Sequence, residues 1–496
     1  MKTARDYSGA IRHADKLFID GAWVTPATNR QFDVVAPSSE ETFARVAEAQ
    51  ATDIERAVAA ARAAFDSGPW PRMPHVQRAT FLRDMAREIR ARADQLSGLL
   101  SSEVGSLYAR NLKGVPDYAG AFDFYADMAE TFRFTEAFPG AQGGPGFLVR
   151  EPVGVVAAIV PWNSPLMIAC WKIAPALLAG CTVILKASPE APSALLALAE
   201  VAEAVGLPKG VLNVLTADRE VSELLVRHTG VDKVSFTGST AAGKRVGAIC
   251  GERVARCTLE LGGKSPAILL DDYDVEKFAD TISATSVLLT GQICSLLTRV
   301  IVPRSRQASL LEATRARLEN IRVGSPFDPA TQMGPLAMKR QRDRVEGYIE
   351  KGRAEGATLV TGGSRPAHLE KGYYVQPTLF GNVDNNATIA REEIFGPVLS
   401  VIPAADEAQA IEIANSSHFG LNAAVFTNDP DRALAVARRI RSGTVAQNAF
   451  RVDFRIGFGG FKESGIGREG GEAGLTSYLE NKTILLEKFP ATLERV

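Results

Sequence analysis

The stretch VGVVAAIVPWNSPLMIACWKIAPALLAGCTVILK, residues 153–186, decides the fold class of this chain. Residues 153–160 form a continuous apolar run, which is typical of a strand buried on both faces of a sheet. Residues 166–180 form a longer apolar segment that predicts a helix, and residues 182–186 predict a second strand. A strand, a helix and a strand in this order predict a parallel sheet that binds its ligands at the carboxyl ends of the strands.

The same alternation continues downstream. Four further segments predict helix, strand, helix and strand in turn: 192–206, 211–216, 220–228 and 232–236. A second series runs from about 262 to 445 and includes a predicted helix at 339–356 and a strand at 358–362. We therefore expect an α/β protein with a doubly wound, Rossmann-type parallel sheet and a second α/β domain.

Three segments outside these series also have a predicted structure. Residues 53–65 predict a helix with Asp53 as its N-cap. The glycine- and proline-rich residues 137–150 predict a hairpin, and residues 478–489 alternate like an edge strand. Neither the hairpin nor the tail has an obvious partner in the alternating series, which favours assembly into a homodimer or homotetramer.

Composition excludes several classes of protein. The chain has 496 residues, a formal net charge of −1 and a pI near 6.6, so we expect two or three domains and neither nucleic acid nor a membrane surface as a partner. The N-terminus lacks the apolar core of a signal peptide, and no apolar run approaches ~20 residues, which favours a cytoplasmic protein. The five cysteines lack metal-ligand spacing, so free thiols and no metal site are expected.

The segment FTGSTAAGKR, residues 236–245, comes within one residue of the phosphate-binding loop of nucleoside triphosphatases. That loop needs a Ser or Thr hydroxyl for Mg²⁺ where this chain has Arg245, whose guanidinium would repel the metal. A strand, a glycine turn and a helix that opens at Ser239 still present free N–H groups to an anion. We therefore expect this segment to bind a phosphate without obligatory Mg²⁺.

Four polar residues are candidates for chemistry. Cys294 follows a Gly-Gln turn outside any apolar run, where a thiolate can be stabilised, although a lone cysteine is more often a core residue. No histidine has a motif-like context, so Glu260, just before a Gly-Gly break, is either a carboxylate base or a structural ion-pair residue. Asn163 and Lys186 stand at the ends of neighbouring predicted strands, where the first could donate to an oxyanion and the second to sugar hydroxyls.

Seven motifs occur in the order and spacing of the NAD(P)-dependent aldehyde dehydrogenase superfamily, over about residues 17–488. They are PWNSP (161–165), LKASPEAP (185–192), FTGST (236–240), LELGGKSP (259–266), GQIC (291–294), EEIFGPV (392–398) and FGGFKESGIGRE (458–469). The chain resembles this family. The resemblance implies that Cys294 is the nucleophile, that Glu260 is the general base and that Asn163 donates to the oxyanion together with the Cys294 N–H. It also implies that Lys172 and Glu469 relay the proton of the base to water.

The resemblance implies NAD as the cofactor. Lys186 corresponds to the adenosine-ribose ligand, Ser239 to the pyrophosphate contact, Glu393 to the nicotinamide-ribose ligand and Phe395 to the wall behind the nicotinamide. The full set of expected cofactor-binding residues is Val160, Pro161, Trp162, Lys186, Ser188, Glu190, Phe236, Gly238, Ser239, Gly262, Glu393 and Phe395.

The family layout also implies a division of the chain. The expected parts are the NAD(P)-binding domain (1–136 and 151–261), the catalytic domain (262–448), a return to the cofactor domain and active-site cleft (449–477) and an oligomerisation arm (137–150 and 478–496).

The chain departs from the family pattern at three places. Pro189 stands where an acidic residue usually accepts the ribose 2′-hydroxyl, and Glu190 comes one position later, so NAD is preferred while NADP stays possible. Leu288 and Leu289 replace an aromatic residue and an asparagine before the nucleophile, which changes the pocket wall. Gly457 replaces a proline and is expected to loosen its turn.

The resemblance implies oxidation of an aldehyde to a carboxylic acid through a thiohemiacetal and a thioester on Cys294, which water activated by Glu260 then hydrolyses. A CoA-acylating enzyme and a catalytically silent relative are alternatives. We expect an apolar or aromatic aldehyde, because the tunnel positions hold Leu166, Met167, Trp171, Leu288 and Phe450. Arg451 and Arg455 could instead bind the carboxylate of a semialdehyde.

Overall fold

The computed structural model of the protein describes residues 2–141 and 143–490. Residue 1 of the expected cofactor domain and residues 142 and 491–496 of the expected arm lie outside the described residues. The described strands, in chain order, are β1 (Leu17–Ile19), β2 (Ala22–Val24), β3 (Gln31–Ala36), β4 (Glu41–Ala47), β5 (Thr135–Pro139), β6 (Pro145–Pro152), β7 (Val155–Ile159), β8 (Thr182–Ala187), β9 (Leu212–Thr216), β10 (Lys233–Thr237), β11 (Arg256–Glu260), β12 (Ser265–Leu269), β13 (Leu297–Pro303), β14 (Thr358–Thr361), β15 (Thr378–Gly381), β16 (Val398–Ala404), β17 (Asn422–Phe426), β18 (Thr444–Gln447), β19 (Gly465–Ile466) and β20 (Leu479–Leu485).

The described helices, in chain order, are α1 (Ala51–Asp66), α2 (His75–Ala91), α3 (Ala93–Val104), α4 (Tyr108–Thr131), α5 (Pro165–Ala179), α6 (Ser193–Ala204), α7 (Arg219–Arg227), α8 (Thr240–Glu252), α9 (Val275–Ser286), α10 (Gln307–Leu318), α11 (Lys339–Ala354), α12 (Thr388–Arg391), α13 (Glu407–Asn415), α14 (Pro430–Ala437) and α15 (Gly471–Thr476).

The predicted doubly wound sheet is present. Eight strands lie in the order β19-β11-β10-β7-β8-β9-β1-β2, and the five from β11 to β9 are parallel. Every residue of β7, β8 and β9 is buried, because helices cover both faces of the sheet, and this explains the continuous apolar runs. The carboxyl ends of β7, β8, β10 and β11 therefore meet at one edge.

The second α/β series forms its own sheet. Seven strands lie in the order β14-β15-β16-β13-β12-β17-β18, and all neighbouring pairs except β14 with β15 are parallel. β12 follows β11 after only four residues, 261–264, so the chain passes directly from one sheet to the other. That short crossing holds the Gly-Gly break next to Glu260.

The hairpin and the tail pair with each other and not with a strand of either alternating series. β5 and β6 form the expected hairpin, and β20 pairs antiparallel with β6 from Leu479 opposite Pro152 to Leu485 opposite Gly146. We call this three-stranded sheet, in the order β20-β6-β5, the arm. Its two strands at the edges are β20 and β5, so backbone groups on both sides are free to pair with another chain.

The helix starts were predicted with mixed success. Ser239 caps α8 as expected, and its hydroxyl accepts the backbone N–H of Ala242 at 3.3 Å. The prediction of Asp53 as the N-cap of α1 was wrong, because the helix begins at Ala51 behind Gln50. The buried Asp53 carboxylate instead accepts the backbone N–H groups of Gln50 at 3.0 Å and Ala27 at 3.1 Å, and the second is a tertiary contact.

None of the helices in the described part of the chain combines the length and the apolar character that crossing a bilayer requires.

Candidate active site

A cavity of about 1040 Å³ opens at the carboxyl edge of the eight-stranded sheet. Its walls include Asn163, Glu260, Cys294 and Glu469, which the sequence analysis singled out separately. Asn163 follows β7, Glu260 ends β11, Cys294 precedes β13 and Glu469 follows β19. The fold therefore brings four candidate residues from distant parts of the chain into one cavity.

The turn before Cys294 has an unusual backbone. Leu289, Thr290 and Gly291 all have positive φ, at +48°, +55° and +77°. A Cβ on Gly291 would overlap the backbone of Gly396, so only glycine fits there. The fully buried Gln292 holds the turn, because its side chain donates to the Leu289 carbonyl at 2.9 Å and accepts the Ala337 N–H at 3.0 Å. The position of Cys294 is therefore determined by several contacts of the preceding turn.

The surroundings of Cys294 raise the pKa of its thiol. Burial raises its pKa well above the ordinary range, and the nearby carboxylates of Glu393 and Glu260 raise it further. The side-chain amide of Asn163 reaches the same segment and donates to the Gln292 carbonyl at 2.9 Å. An amide donor and a thiol thus face one part of the cavity.

Glu260 is a buried carboxyl group. It is 2 % exposed, and neither of its oxygens has a hydrogen-bond partner among the described residues. Burial, and then the charge of Glu469, raises the pKa of Glu260 well above its usual value, against the opposing charges of Lys172 and Arg468. A Cβ on Gly459 would stand 2.7 Å from Glu260 Oε1, so the glycine leaves room for the carboxyl group.

Lys172 and Glu469 form a buried ion pair behind Glu260. The Lys172 ammonium donates to Glu469 and, at 3.1 Å, to the hydroxyl of Ser235. The Tyr478 hydroxyl also donates to Ser235, at 3.2 Å. Sequence reasoning missed Ser235 and Tyr478, since Ser235 lies just before the FTGST motif and Tyr478 just before β20, outside every quoted motif.

The predicted phosphate and ribose residues line the same edge. Phe236 and Gly238 lie at the end of β10, and Ser239 begins α8 beside them. Lys186 is 8 % exposed, and burial lowers the pKa of its ammonium to about 8. The loop 160–162 follows β7, where the Val160 N–H donates to the Lys186 carbonyl at 3.2 Å.

Residues of the second sheet face this edge. Glu393 accepts the Gly263 N–H at 3.1 Å, and burial raises the pKa of its carboxyl group to about 7. A Cβ on Gly262 would stand 2.6 Å from Glu393, so a side chain there would displace the carboxylate. The rings of Phe395 and Trp162 pack edge to face with centroids 5.4 Å apart. The cofactor residues expected from both halves of the chain are thus neighbours.

Glu190 has partners that sequence reasoning did not anticipate. The Ser188 hydroxyl donates to one of its oxygens and the Arg340 guanidinium to the other. Arg340 belongs to α11, on the far side of the crossing between the sheets. No motif in the sequence pointed to it.

All five predicted tunnel residues line the cavity: Leu166, Met167, Trp171, Leu288 and Phe450. Four aromatic residues that were not predicted join them, namely Tyr118, Phe124, Phe454 and Phe458. The Trp171 ring packs on Phe454 at 4.9 Å and on Phe458 at 5.7 Å. Arg455 lies at this cavity, whereas Arg451 lines a separate shallow depression along β18.

In residues 2–141 and 143–490, no three His, Cys, Asp or Glu side chains are grouped so that they could hold a metal ion.

The comparison with known families agrees with this geometry. The model of the aldehyde dehydrogenase family matches residues 23–484. The chain belongs to the aldehyde dehydrogenase family. Its membership confirms the resemblance read from the motifs and makes the chain an oxidoreductase of the type that oxidises aldehydes.

Individual members of the family cover nearly the whole chain. An aminoaldehyde dehydrogenase of Arabidopsis thaliana is 40% identical over 95% of this chain and 96% of its own length. The geranial dehydrogenase of Castellaniella defragrans is 41% identical over 95% of this chain and 98% of its own length. The betaine aldehyde dehydrogenase of Rhizobium etli is 41% identical over 95% of this chain and 97% of its own length.

Solved structures of aldehyde dehydrogenases superimpose closely on the fold. The Mycobacterium tuberculosis enzyme complexed with NAD+ is 45% identical, with a TM-score of 0.93 over 95% of this chain and 98% of that chain. The betaine aldehyde dehydrogenase of Staphylococcus aureus in complex with NAD+ is 36% identical. Its TM-score is 0.94 over 97% of this chain and 96% of that chain. The predicted α/β fold class is thereby confirmed.

Proposed function

We propose that the protein oxidises an apolar or aromatic aldehyde to the carboxylic acid with NAD, through a covalent thioester on Cys294. The observation that carries the proposal is the convergence of Cys294, Asn163 and Glu260 on one cavity, with the Lys172–Glu469 pair behind it. A thiol, an amide donor and a carboxyl base of raised pKa are the groups that acyl formation and hydrolysis require.

In the first step the thiolate of Cys294 attacks the aldehyde carbon, and the oxygen becomes an oxyanion. Because the surroundings raise the pKa of the thiol, a base has to remove its proton. Glu260 is our candidate for this base, and its charge acts on the thiol together with that of Glu393. Asn163 supplies a donor for the oxyanion when its amide leaves the Gln292 carbonyl. The thiohemiacetal then lies beside the Asn163 amide in the cavity.

The residues present fit a dinucleotide. Ser239 opens a helix whose free N–H groups suit a pyrophosphate, Lys186 offers donors to a ribose, and Glu393 accepts from a second ribose. Trp162 and Phe395 form an aromatic surface beside Glu393. When bound, NAD supplies the hydride acceptor that turns the thiohemiacetal into a thioester.

In the last step Glu260 takes a proton from the water that hydrolyses the thioester. Its raised pKa makes it a stronger base than an ordinary carboxylate once it is ionised. Lys172 and Glu469, whose charges both act on Glu260, are the groups that we propose receive this proton. Hydrolysis by this base favours the acid over an acyl-CoA product.

The lining of the cavity supports an apolar or aromatic substrate. Trp171, Phe454 and Phe458 pack together on one wall and present apolar surface. The names of the related enzymes refer to aminoaldehydes, betaine aldehyde and geranial. Family membership alone therefore does not identify the substrate of this protein. A semialdehyde is the second candidate, because Arg455 lies at this cavity and could pair with a carboxylate.

The test is NADH formation with hexanal, benzaldehyde and succinic semialdehyde, each with and without CoA. We expect the highest kcat/KM with hexanal or benzaldehyde, no dependence on CoA, and no NADH from Cys294→Ala. A markedly higher kcat/KM for succinic semialdehyde would overturn the substrate assignment. A requirement for CoA would overturn the hydrolytic step.

We also propose that the arm joins subunits into a homodimer or homotetramer. Leu485, Phe489 and Phe138 on or beside its strands are 72 %, 66 % and 49 % exposed. Exposed apolar side chains of this size beside free strand edges are typical of a surface that a second copy covers.

A further inference from the structure

The feature that carries a further inference is the ion pair between Glu190 and Arg340. Glu190 follows β8 and Arg340 lies in the first turn of α11, so the pair bridges the two halves of the chain. Glu190 is 23 % exposed and Arg340 68 % exposed. The guanidinium end is therefore accessible to a solute.

The carboxylate of Glu190 is ionised and already occupied. Burial raises its pKa, but hydrogen bonds from Ser188 and Arg340 together hold the pKa below its ordinary value. One oxygen accepts from Ser188 and the other from Arg340. Glu190 therefore neutralises Arg340 in the native protein.

A second cationic group, Lys186, also responds to the charge of Glu190. Lys186 stands at the end of the strand that precedes Glu190, and its ammonium feels the charges of Glu190 and Asp218. On the other side Arg340 is followed by no acidic residue until Asp343, which pairs with Lys339. If Glu190 lost its charge, Arg340 would lose the carboxylate that now neutralises it.

We propose that Arg340 determines the choice between NAD and NADP: paired with Glu190 it leaves no site for a 2′-phosphate, and released from Glu190 it binds one. The inference rests on the proposed function, since it takes Lys186 to hold the adenosine ribose. A guanidinium binds a phosphate with two parallel hydrogen bonds, so it competes well for the 2′-phosphate once its carboxylate partner is gone. In the native protein a 2′-phosphate would have to break the pair and approach the Glu190 carboxylate.

The test is a binding experiment that needs no turnover. Dissociation constants for NAD, NADP, 5′-AMP and 2′,5′-ADP are measured by calorimetry for the native protein, Glu190→Gln, Arg340→Gln and the double variant. We expect Glu190→Gln to bind NADP and 2′,5′-ADP roughly tenfold to a hundredfold more tightly than the native protein, which corresponds to one new charge-assisted phosphate contact. In the double variant this gain should vanish.

A matched control lies on the same helix. Arg353 of α11 is also partly exposed and pairs with Glu350 at 3.8 Å, far from Glu190 in sequence. Arg353→Gln in the Glu190→Gln background should keep the whole gain in 2′-phosphate affinity. The gain should also shrink as salt is raised, because exposed charge pairs are screened.

The outcomes separate the two proposals. If NAD and 5′-AMP bind normally but Glu190→Gln gains no affinity for NADP, or if the gain survives Arg340→Gln, the assignment of Arg340 is wrong and the proposed function stands. If neither NAD nor 5′-AMP binds to the folded native protein, both proposals fall. A gain that needs Arg340 and not Arg353 supports the assignment.

Discussion

Lys172 and Glu469 form an ion pair that is almost completely removed from solvent, although 297 residues separate them in the sequence. Lys172 projects from α5, which packs on the eight-stranded sheet, and Glu469 follows β19, which closes one edge of that sheet. Ser235 of β10 completes the polar cluster between them. The pair therefore joins the C-terminal segment of the chain to the sheet behind the candidate base.

Breaking this pair should destabilise the protein. Lys172→Met or Glu469→Gln leaves one buried charge without its partner, and such a loss typically costs about 3–5 kcal/mol. Replacing both residues together should cost less than either single change, since no charge then stays buried. Urea unfolding of the native protein, the two single variants and the double variant measures these differences in the free energy of unfolding. Equal midpoints for all three and the native protein would contradict the buried pair.

Glu260→Gln should separate the two halves of the reaction. If Glu260 mainly activates water, rapid mixing with hexanal and NAD should give a burst of NADH followed by a steady state about 10² to 10⁴-fold slower. Cys294→Ala should abolish both phases, because no thiohemiacetal forms. A Glu260→Gln variant that is folded and binds NAD, yet shows no burst at any pH, would disprove this division of roles.

The pH dependence of Cys294 follows from its burial. A raised thiol pKa means less thiolate at any given pH, so alkylation by iodoacetamide without cofactor should be slow at pH 7 and rise roughly tenfold per pH unit beyond the ordinary thiol pKa of about 8.5. Peptide mass spectrometry distinguishes Cys294 from the other four cysteines, with Cys294→Ala as the blank. A rate at Cys294 that is constant from pH 6 to pH 9 would show that its thiol is already ionised.

Assembly through the arm can be tested with one substitution. Leu485→Asp puts a charge on an apolar side chain that is 72 % exposed in the single chain, so it should leave the fold intact and yield monomers. Val76→Asp is the control, since Val76 is also exposed but belongs to α2 and not to a strand of the arm. Light scattering gives the masses. A Leu485→Asp protein of unchanged oligomeric mass would count against the arm as the interface.

Arg455 and Arg451 form a matched pair for testing substrate charge. Arg455→Gln should lower kcat/KM for succinic semialdehyde by roughly two- to fivefold, as expected for an exposed ion pair, and leave hexanal unchanged. Arg451→Gln should change neither, since Arg451 lines a different depression. Loss of hexanal oxidation in Arg455→Gln would mean that Arg455 maintains the shape of the cavity and does not act by pairing with the substrate carboxylate.

Much of the fold could be predicted from local pattern. Strands covered on both faces require unbroken apolar runs, so residues 153–160 and 182–186 could be recognised as β7 and β8. The N-cap role of Ser239 was also predicted, because a short hydroxyl side chain directly before a helix satisfies a free N–H of the first turn. The pattern also placed Cys294 outside the core.

Other features depend on contacts that no local pattern contains. Asp53 was mistaken for an N-cap because its carboxylate does bind the start of α1, yet its second contact with Ala27 comes from a different part of the chain. The pairing of β20 with β6 was missed, since the two strands are more than 300 residues apart and share no motif. Phe454 was missed because its segment has no regular period.

The sequence by itself determined the class of fold and the family, and it singled out Cys294, Glu260 and Asn163 as candidates, because these inferences depend on residue types at short spacings. Only the tertiary structure decided which groups share an environment. It removes Glu260 from water and so raises its pKa, it pairs Lys172 with Glu469, and it brings Arg340 to Glu190. The physical reason is that burial and charge act through space, and the distances between these groups exist only once the chain has folded.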